Sequence, residues 1–228
     1  MEIRNLYDVM DKKYLKKPKN PNFALHHFNL PFRACVVAPS GSGKTNLVLN
    51  IIEAFSKDEG TFSTIQIITR DKNEPLYNWL QEKAPSIQIT EGLTTLKPLT
   101  NKNYDPDLQH LVVLDDLVLS KDLSAVEAFY IRGRKLGVSV IFISQSYFRI
   151  PKTIRGNCSY MILLKLSGQR EVNLILSEFG LGVTKDQLLR LYQRATTEKF
   201  VPLVIDMEAQ PEERFRRGLL EILNPAVQ

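Results

Sequence analysis

Eight consecutive residues, Ala38-Pro39-Ser40-Gly41-Ser42-Gly43-Lys44-Thr45, have the chemistry of a phosphate cradle. Gly41 and Gly43 carry no Cβ, so the backbone can curl there and present successive N–H groups to an anion. The run follows an apolar strand pattern and opens a helical one, which adds the positive end of a helix at the same point. Lys44 then reaches the β- and γ-phosphates of a nucleoside triphosphate, and the Thr45 hydroxyl is a Mg²⁺ ligand. Pro39, Ser40, Gly41, Ser42, Gly43, Lys44, Thr45 and Asn46 are the expected nucleotide contacts. Glycine usually opens this motif; Ala38 stands there instead and fits if the strand end keeps a negative φ.

A phosphate loop needs an acid at a neighbouring strand tip to hold the metal. Leu111-Val112-Val113-Leu114-Asp115-Asp116 supplies four apolar residues and then two carboxylates. Successive side chains of a strand point in different directions, so the two acids can divide their roles. Asp115 is the expected Mg²⁺ partner, acting through the water shell and with Thr45. Asp116 either polarises the attacking water or caps the segment that follows. Gln145, in Ile141-Phe142-Ile143-Ser144-Gln145-Ser146, ends another apolar run and is placed to sense the γ-phosphate and orient the water. Arg132-Gly133-Arg134-Lys135 puts three cations in four residues at a helix end, more than the helix dipole asks for. An arginine given in trans to a neighbouring subunit would stabilise transition-state charge. Arg132 is the first choice, Arg134 the second and Arg155 the third, although the segment around Arg155 equally suits a DNA contact.

The elements that must position these groups follow from pattern. Apolar, strand-like runs lie at Ala34–Ala38, Thr64–Thr69, Leu111–Leu114, Val138–Ile143 and Tyr160–Leu164, with a short extra strand at Ile87–Thr90. Helical patterns alternate with them at Lys44–Phe55, Pro75–Lys83, Leu123–Lys135 and Arg170–Phe179. Near-continuous apolar strands alternating with helices predict an α/β fold, a P-loop three-layer sandwich with a mainly parallel central sheet. A helix at Lys185–Tyr192 and a strand at Phe200–Ile205 follow. Three parts are expected: a basic N-terminal arm over 1–31, a nucleotide-hydrolysing core over 32–206, and a C-terminal amphipathic helix over 207–228. The stretch from Glu91 to Asp107 reads as a long loop.

Composition narrows the class. With 228 residues, 43% hydrophobic and 24% charged, the chain can bury a core without disulfides or structural metals. Two cysteines, Cys35 and Cys158, without clustered histidines support neither a disulfide framework nor a zinc site. No apolar run is long enough to span a membrane and no signal-peptide core opens the chain, so a reducing aqueous compartment is expected. The net charge of +5 suits a polyanionic partner. Lys12, Lys13, Lys16, Lys17 and Lys19 concentrate part of it in the arm, as a solvated tail or a phosphate-backbone contact.

Several of these pieces together resemble the poxvirus-type genome-packaging ATPases of the FtsK–HerA superfamily. They are Leu30-Pro31-Phe32-Arg33 before the phosphate loop, Leu114-Asp115-Asp116-Leu117, Arg132-Gly133-Arg134, Ser139 to Tyr147, and Pro151-Lys152-Thr153-Ile154-Arg155-Gly156-Asn157. The resemblance runs from about Phe28 to Lys165; the basic arm and the last forty residues add no motif to it. It implies a RecA/FtsK-like core and an ATPase using ATP and Mg²⁺. It also implies a homo-oligomeric ring, pentamer or hexamer, that moves double-stranded DNA into a preformed capsid beside a capsid or portal protein. Lys44, Thr45, Asp115, Asp116 and Gln145 would act in cis, and Arg132 on the neighbour's nucleotide. A viral protein of the host cytoplasm or viral factory, and of the virion, with no membrane association, is the implied setting. A cellular translocase of the same superfamily and a nucleotide-binding assembly protein without turnover are the alternatives.

Overall fold

The strand-like runs assemble in the computed structural model, which describes residues 3–11, 17–118 and 122–225. Lys12, Lys13 and Lys16 of the basic arm lie outside the described residues. In chain order the strands are β1 (Arg33–Val37), β2 (Thr64–Thr69), β3 (Gln88–Glu91), β4 (His110–Asp115), β5 (Val138–Ser144), β6 (Tyr160–Leu163), β7 (Leu203–Asp206), β8 (Phe215–Arg217) and β9 (Glu221–Ile222). They form one sheet in the order β3-β2-β4-β5-β1-β6-β7-β8-β9. The first six run parallel; β7, β8 and β9 pair antiparallel onto the β6 edge.

The helices are α1 (Phe23–His26), α2 (Lys44–Phe55), α3 (Pro75–Lys83), α4 (Ser124–Arg132), α5 (Lys152–Gly156), α6 (Gln169–Glu178) and α7 (Lys185–Ala195). Period-two alternation splits β1 between two cores. Ala34 and Val36 join Val48, Ile51 and Phe55 of α2, while Cys35 and Val37 join Phe129 of α4 and Leu176 of α6. Helices thus cover both faces of a mainly parallel sheet, and β4 and β5 are buried along their whole length. This is the expected α/β three-layer sandwich. Both cysteines are free and buried.

Two expectations at the chain ends are corrected. The segment expected as an amphipathic helix over 207–228 is not one in its described part, 207–225: a 3-10 turn at Pro211–Glu213 leads into the β8–β9 hairpin. Phe215, Leu219 and Leu223 are spaced as on a helical face, but Gly218 turns the chain at φ 64° and the Leu223 N–H donates to the Phe215 carbonyl across the turn. Phe215 and Leu223 are fully buried, and Arg216 pairs with Asp206 at 3.0 Å inside the protein. Nor does the arm extend to residue 31. Asn22, His26 and Phe28 are buried, and the Asn22 amide donates to the carbonyls of Phe55 and Lys57 at the end of α2. The same carbonyls accept from the Thr61 and Gly60 N–H groups, so Asn22 adds a tie to the turn that closes α2.

Candidate nucleotide site

Parallel strands bring their C-terminal tips to one end of the sheet, and the polar residues that end them meet there. Register fixes the meeting: Thr69 of β2 lies beside Asp115 of β4, Asp115 beside Ile143 of β5, and Ser144 beside Val37 of β1. The phosphate loop leaves β1 at that end. Ala38 does not take a positive φ, and its N–H donates to the Ser144 carbonyl, so alanine is accommodated. Gly41 and Gly43 do take positive φ, 73° and 89°. Gly43 opens α2 with no side chain capping it, so the first N–H groups of a twelve-residue helix are left to an anion.

A cavity of about 900 Å³ fills the space above these tips, and Lys44, Thr45, Asp115, Asp116 and Gln145 all line it, as does Asn46. The Gln145 amide donates to Asp116 Oδ2 at 3.0 Å. Asp116 adopts a left-handed φ of 55°, a conformation that aspartate tolerates better than most residues with a Cβ. It caps no helix: α4 begins at Ser124.

Three residues of the site were not anticipated. Arg70 follows the tip of β2 and sets a guanidinium nitrogen 3.9 Å from Asp116 Oδ2. Glu74 accepts a hydrogen bond from the Thr45 hydroxyl at 3.1 Å. Tyr77 of α3 donates to Asp115 Oδ2 at 2.6 Å, and its hydroxyl also meets Thr45. Polar residues just past Thr69 were a readable signal for Arg70 and Glu74, because β2 neighbours β4. Tyr77 depends on how α3 packs, which no local pattern shows.

Burial raises the Asp115 carboxyl to about 6; the Tyr77 hydrogen bond and Lys44 oppose the rise, and Glu74 and Asp116 add to it. Burial, followed by Asp115, pushes the Tyr77 phenol well above its usual value. Asp115 Oδ1 is buried without a hydrogen-bond partner. An unpartnered carboxylate oxygen near a threonine hydroxyl is an all-oxygen donor set suited to Mg²⁺. Among the described residues no group of three or more His, Cys, Asp or Glu is arranged to hold a metal. Thr45 and Asp115 therefore fit a cation that takes its other ligands from water and phosphate.

The arginines sit elsewhere. Arg132 ends α4 and Arg134 follows it, at the sheet end away from the phosphate loop. Arg132 is exposed and makes no ion pair among the described residues. Arg134 lies 3.6 Å from Glu208. Arg155 is tied to Glu178 at 2.9 Å and lies over the Tyr147 ring.

The family model described as Poxvirus A32 protein matches residues 22–207. This chain belongs to the poxvirus A32 protein family. Among curated relatives, the DNA packaging protein OPG160 of Vaccinia virus (strain Copenhagen) is 24% identical over 189 residues, covering 78% of this chain and 70% of the relative. The Monkeypox virus protein of the same name is also 24% identical, over 78% of this chain and 63% of its own length. Among solved structures, the genome packaging NTPase B204 from Sulfolobus turreted icosahedral virus 2, in complex with AMPPCP, superposes with a TM-score of 0.55 at 14% identity. That match covers 80% of this A32-family chain and 96% of B204. The cytoplasmic domain of the Thermomonospora curvata Type VII secretion ATPase EccC gives 0.51 at 15% identity, over 88% of this chain and 29% of EccC. These likenesses place the A32-family core in the P-loop NTPase fold. Among the described residues no helix is long and apolar enough to cross a membrane.

Proposed function

We propose that this A32-family chain is a viral DNA-packaging ATPase, hydrolysing ATP to move double-stranded DNA into a capsid. The observation that carries the reading is the convergence of Lys44, Thr45, Asp115, Asp116 and Gln145 on one cavity at the tips of adjacent strands. The OPG160 relatives, named for DNA packaging, supply the biological context.

In this reading the loop N–H groups and Lys44 hold the β- and γ-phosphates. Thr45, and Asp115 through a water shell, would hold Mg²⁺, which when bound would supply charge neutralisation at the phosphate oxygens. Asp116 accepts a hydrogen bond from the attacking water and Gln145 orients it; their mutual hydrogen bond keeps both aimed at one point. Glu74 must release the Thr45 hydroxyl when the metal site fills. Arg132 serves a neighbour's nucleotide in a homo-oligomeric ring of five or six copies. Its exposure and lack of an ion pair support that role over Arg155, whose charge Glu178 already engages. Loss of the γ-phosphate then releases contacts across the interface and moves the loops attached to the sheet. DNA is gripped through its phosphates without sequence readout. A capsid or portal protein docks the ring. The protein acts in the host cytoplasm or viral factory.

The test is ATP turnover with and without duplex DNA, with the oligomer mass measured under the same conditions. Turnover stimulated by duplex and lost in high salt is expected. Binding of ATP without any turnover, with or without DNA, would transfer the chain to a non-catalytic assembly role.

A further inference from the structure

The link between α7 and β7, residues 196–202, is polar except at Phe200, Val201 and Pro202. Phe200 is 43% exposed and holds a left-handed φ of 71°. An aromatic residue rarely adopts that backbone, and surrounding structure must enforce it. The enforcement is visible. Arg217 of β8 pairs with Glu198 at 2.5 Å, and the Gly218 N–H donates to the Pro202 carbonyl at 2.9 Å. The C-terminal hairpin thus pins both sides of Phe200.

The pinned ring rests on the phosphate loop. A Cβ built on Gly43 would lie 2.1 Å from Phe200 Cδ1, so the ring edge touches the glycine itself. Lys199 Nζ sits over the ring, 4.8 Å from its centroid, and the residue as a whole stays partly exposed. An exposed aromatic held against a phosphate cradle is a stacking surface in search of a flat ligand.

Asp116 and Gln145 lie on the β4 and β5 side of β1. A triphosphate with its γ end there and its β-phosphate in the loop would carry its other end toward β6 and β7, where Phe200 precedes β7 at the rim beyond the residues that line the cavity. We propose that Phe200 is the platform on which the nucleotide base stacks, with Lys199 beside it near the α-phosphate. This deepens, and rests on, the nucleotide-hydrolysing reading of the same cavity. It also accounts for the β8–β9 hairpin, which holds the base platform in register with the phosphate loop.

Calorimetric titration of ATP and of inorganic tripolyphosphate into wild type, Phe200→Ala, Phe200→Trp and Lys44→Ala separates the possibilities. Phe200→Ala should weaken ATP about tenfold and leave tripolyphosphate unchanged. Phe200→Trp should keep ATP affinity and show fluorescence that responds to ATP but not to tripolyphosphate. If Phe200→Ala binds ATP as wild type does, or loses both ligands equally, the platform is overturned. A Trp signal blind to ATP overturns it as well, and does not depend on how the alanine variant folds. Lys44→Ala losing both ligands shows that the phosphate site stands, so a negative result at Phe200 then counts against the platform alone. Lys44→Ala binding both at full strength removes the nucleotide reading, and the platform with it.

Discussion

The two ends of the sheet are built from opposite materials. At the tip end, Asp115, Asp116 and Glu74 face Lys44 and Arg70 around an open cavity, on backbone that includes left-handed Gly41, Gly43 and Asp116. At the other end the charges are mostly cations. Arg33 and Arg134 share Glu208, and Lys17, Lys19, Arg134 and Lys135 border a second cavity of about 1200 Å³. Burial and the neighbouring Arg134 lower the Arg33 guanidinium, a sign of crowded positive charge. Unmet acidic oxygens at one end want a cation bound to phosphates; crowded cations at the other want an anionic partner outside the chain. The difference teaches that, on the proposed function, bond-breaking and partner contact would be separated by the length of the strands. A ring in which one copy's cationic end meets the next copy's tips would rejoin them.

Substitutions at the tip end should break chemistry outright. Lys44→Ala removes the cation at the γ-phosphate and should take ATP turnover below detection; normal hydrolysis would misplace the site. Next in size is the cationic end. Arg132→Ala should lose about a thousandfold in turnover while binding ATP normally. Mixing it with a Lys44→Ala protein, each inactive alone, should restore part of the activity, because Arg132 from the Lys44→Ala copies can then complete intact sites. Full activity of Arg132→Ala alone would make the two ends independent and move the trans role to Arg134 or Arg155, or to no arginine. Asp116→Asn keeps the shape and the Gln145 contact but loses the charge, so kcat should fall about a hundredfold with nucleotide affinity held. An equal loss in affinity would recast Asp116 as a binding residue.

How far the sequence reached follows the same divide. Lys44, Thr45, Asp115 and Asp116 were legible because short motifs at strand ends carry their own geometry, and Gln145 because an apolar run ended in a polar residue. Their shared cavity needed only correct strand neighbours. Tyr77 was invisible: its contact with Asp115 depends on the packing angle of α3. The C-terminal hairpin was misread because Phe215, Leu219 and Leu223 satisfy a helical spacing, and one glycine turn brings Phe215 and Leu223 together as well. The arm was drawn too long because Asn22 and His26, polar by type, are held inside by contacts with a helix thirty residues away.

The expected effect furthest from turnover lies at the cationic end and concerns stability. His26 is fully buried, with its ring 3.8 Å from that of Phe55 and its Nδ1 accepting from the Phe28 N–H at 2.9 Å. Burial first, then His27 and Arg216, lower it from 6.5 to about 4. The folded chain therefore holds His26 neutral at pH values where the unfolded chain protonates it. The stability this gives is complete above pH 6.5, falls as the pH drops below that value, and is spent near 4. The loss amounts to roughly 3 kcal/mol. Urea unfolding at pH 7.5, 6, 5 and 4 measures it against a background of carboxylate titration. His26→Gln, which cannot protonate there, should remove this share of the slope between pH 6.5 and 4 while unfolding more easily at pH 7.5. ATP turnover at pH 7.5 should hardly change in that variant, because the residue stands a full helix length from the phosphate loop. A large loss of turnover in a folded His26→Gln protein would mean that the cationic end reaches the catalytic end through α2 within one copy, and that the separation drawn between them is wrong.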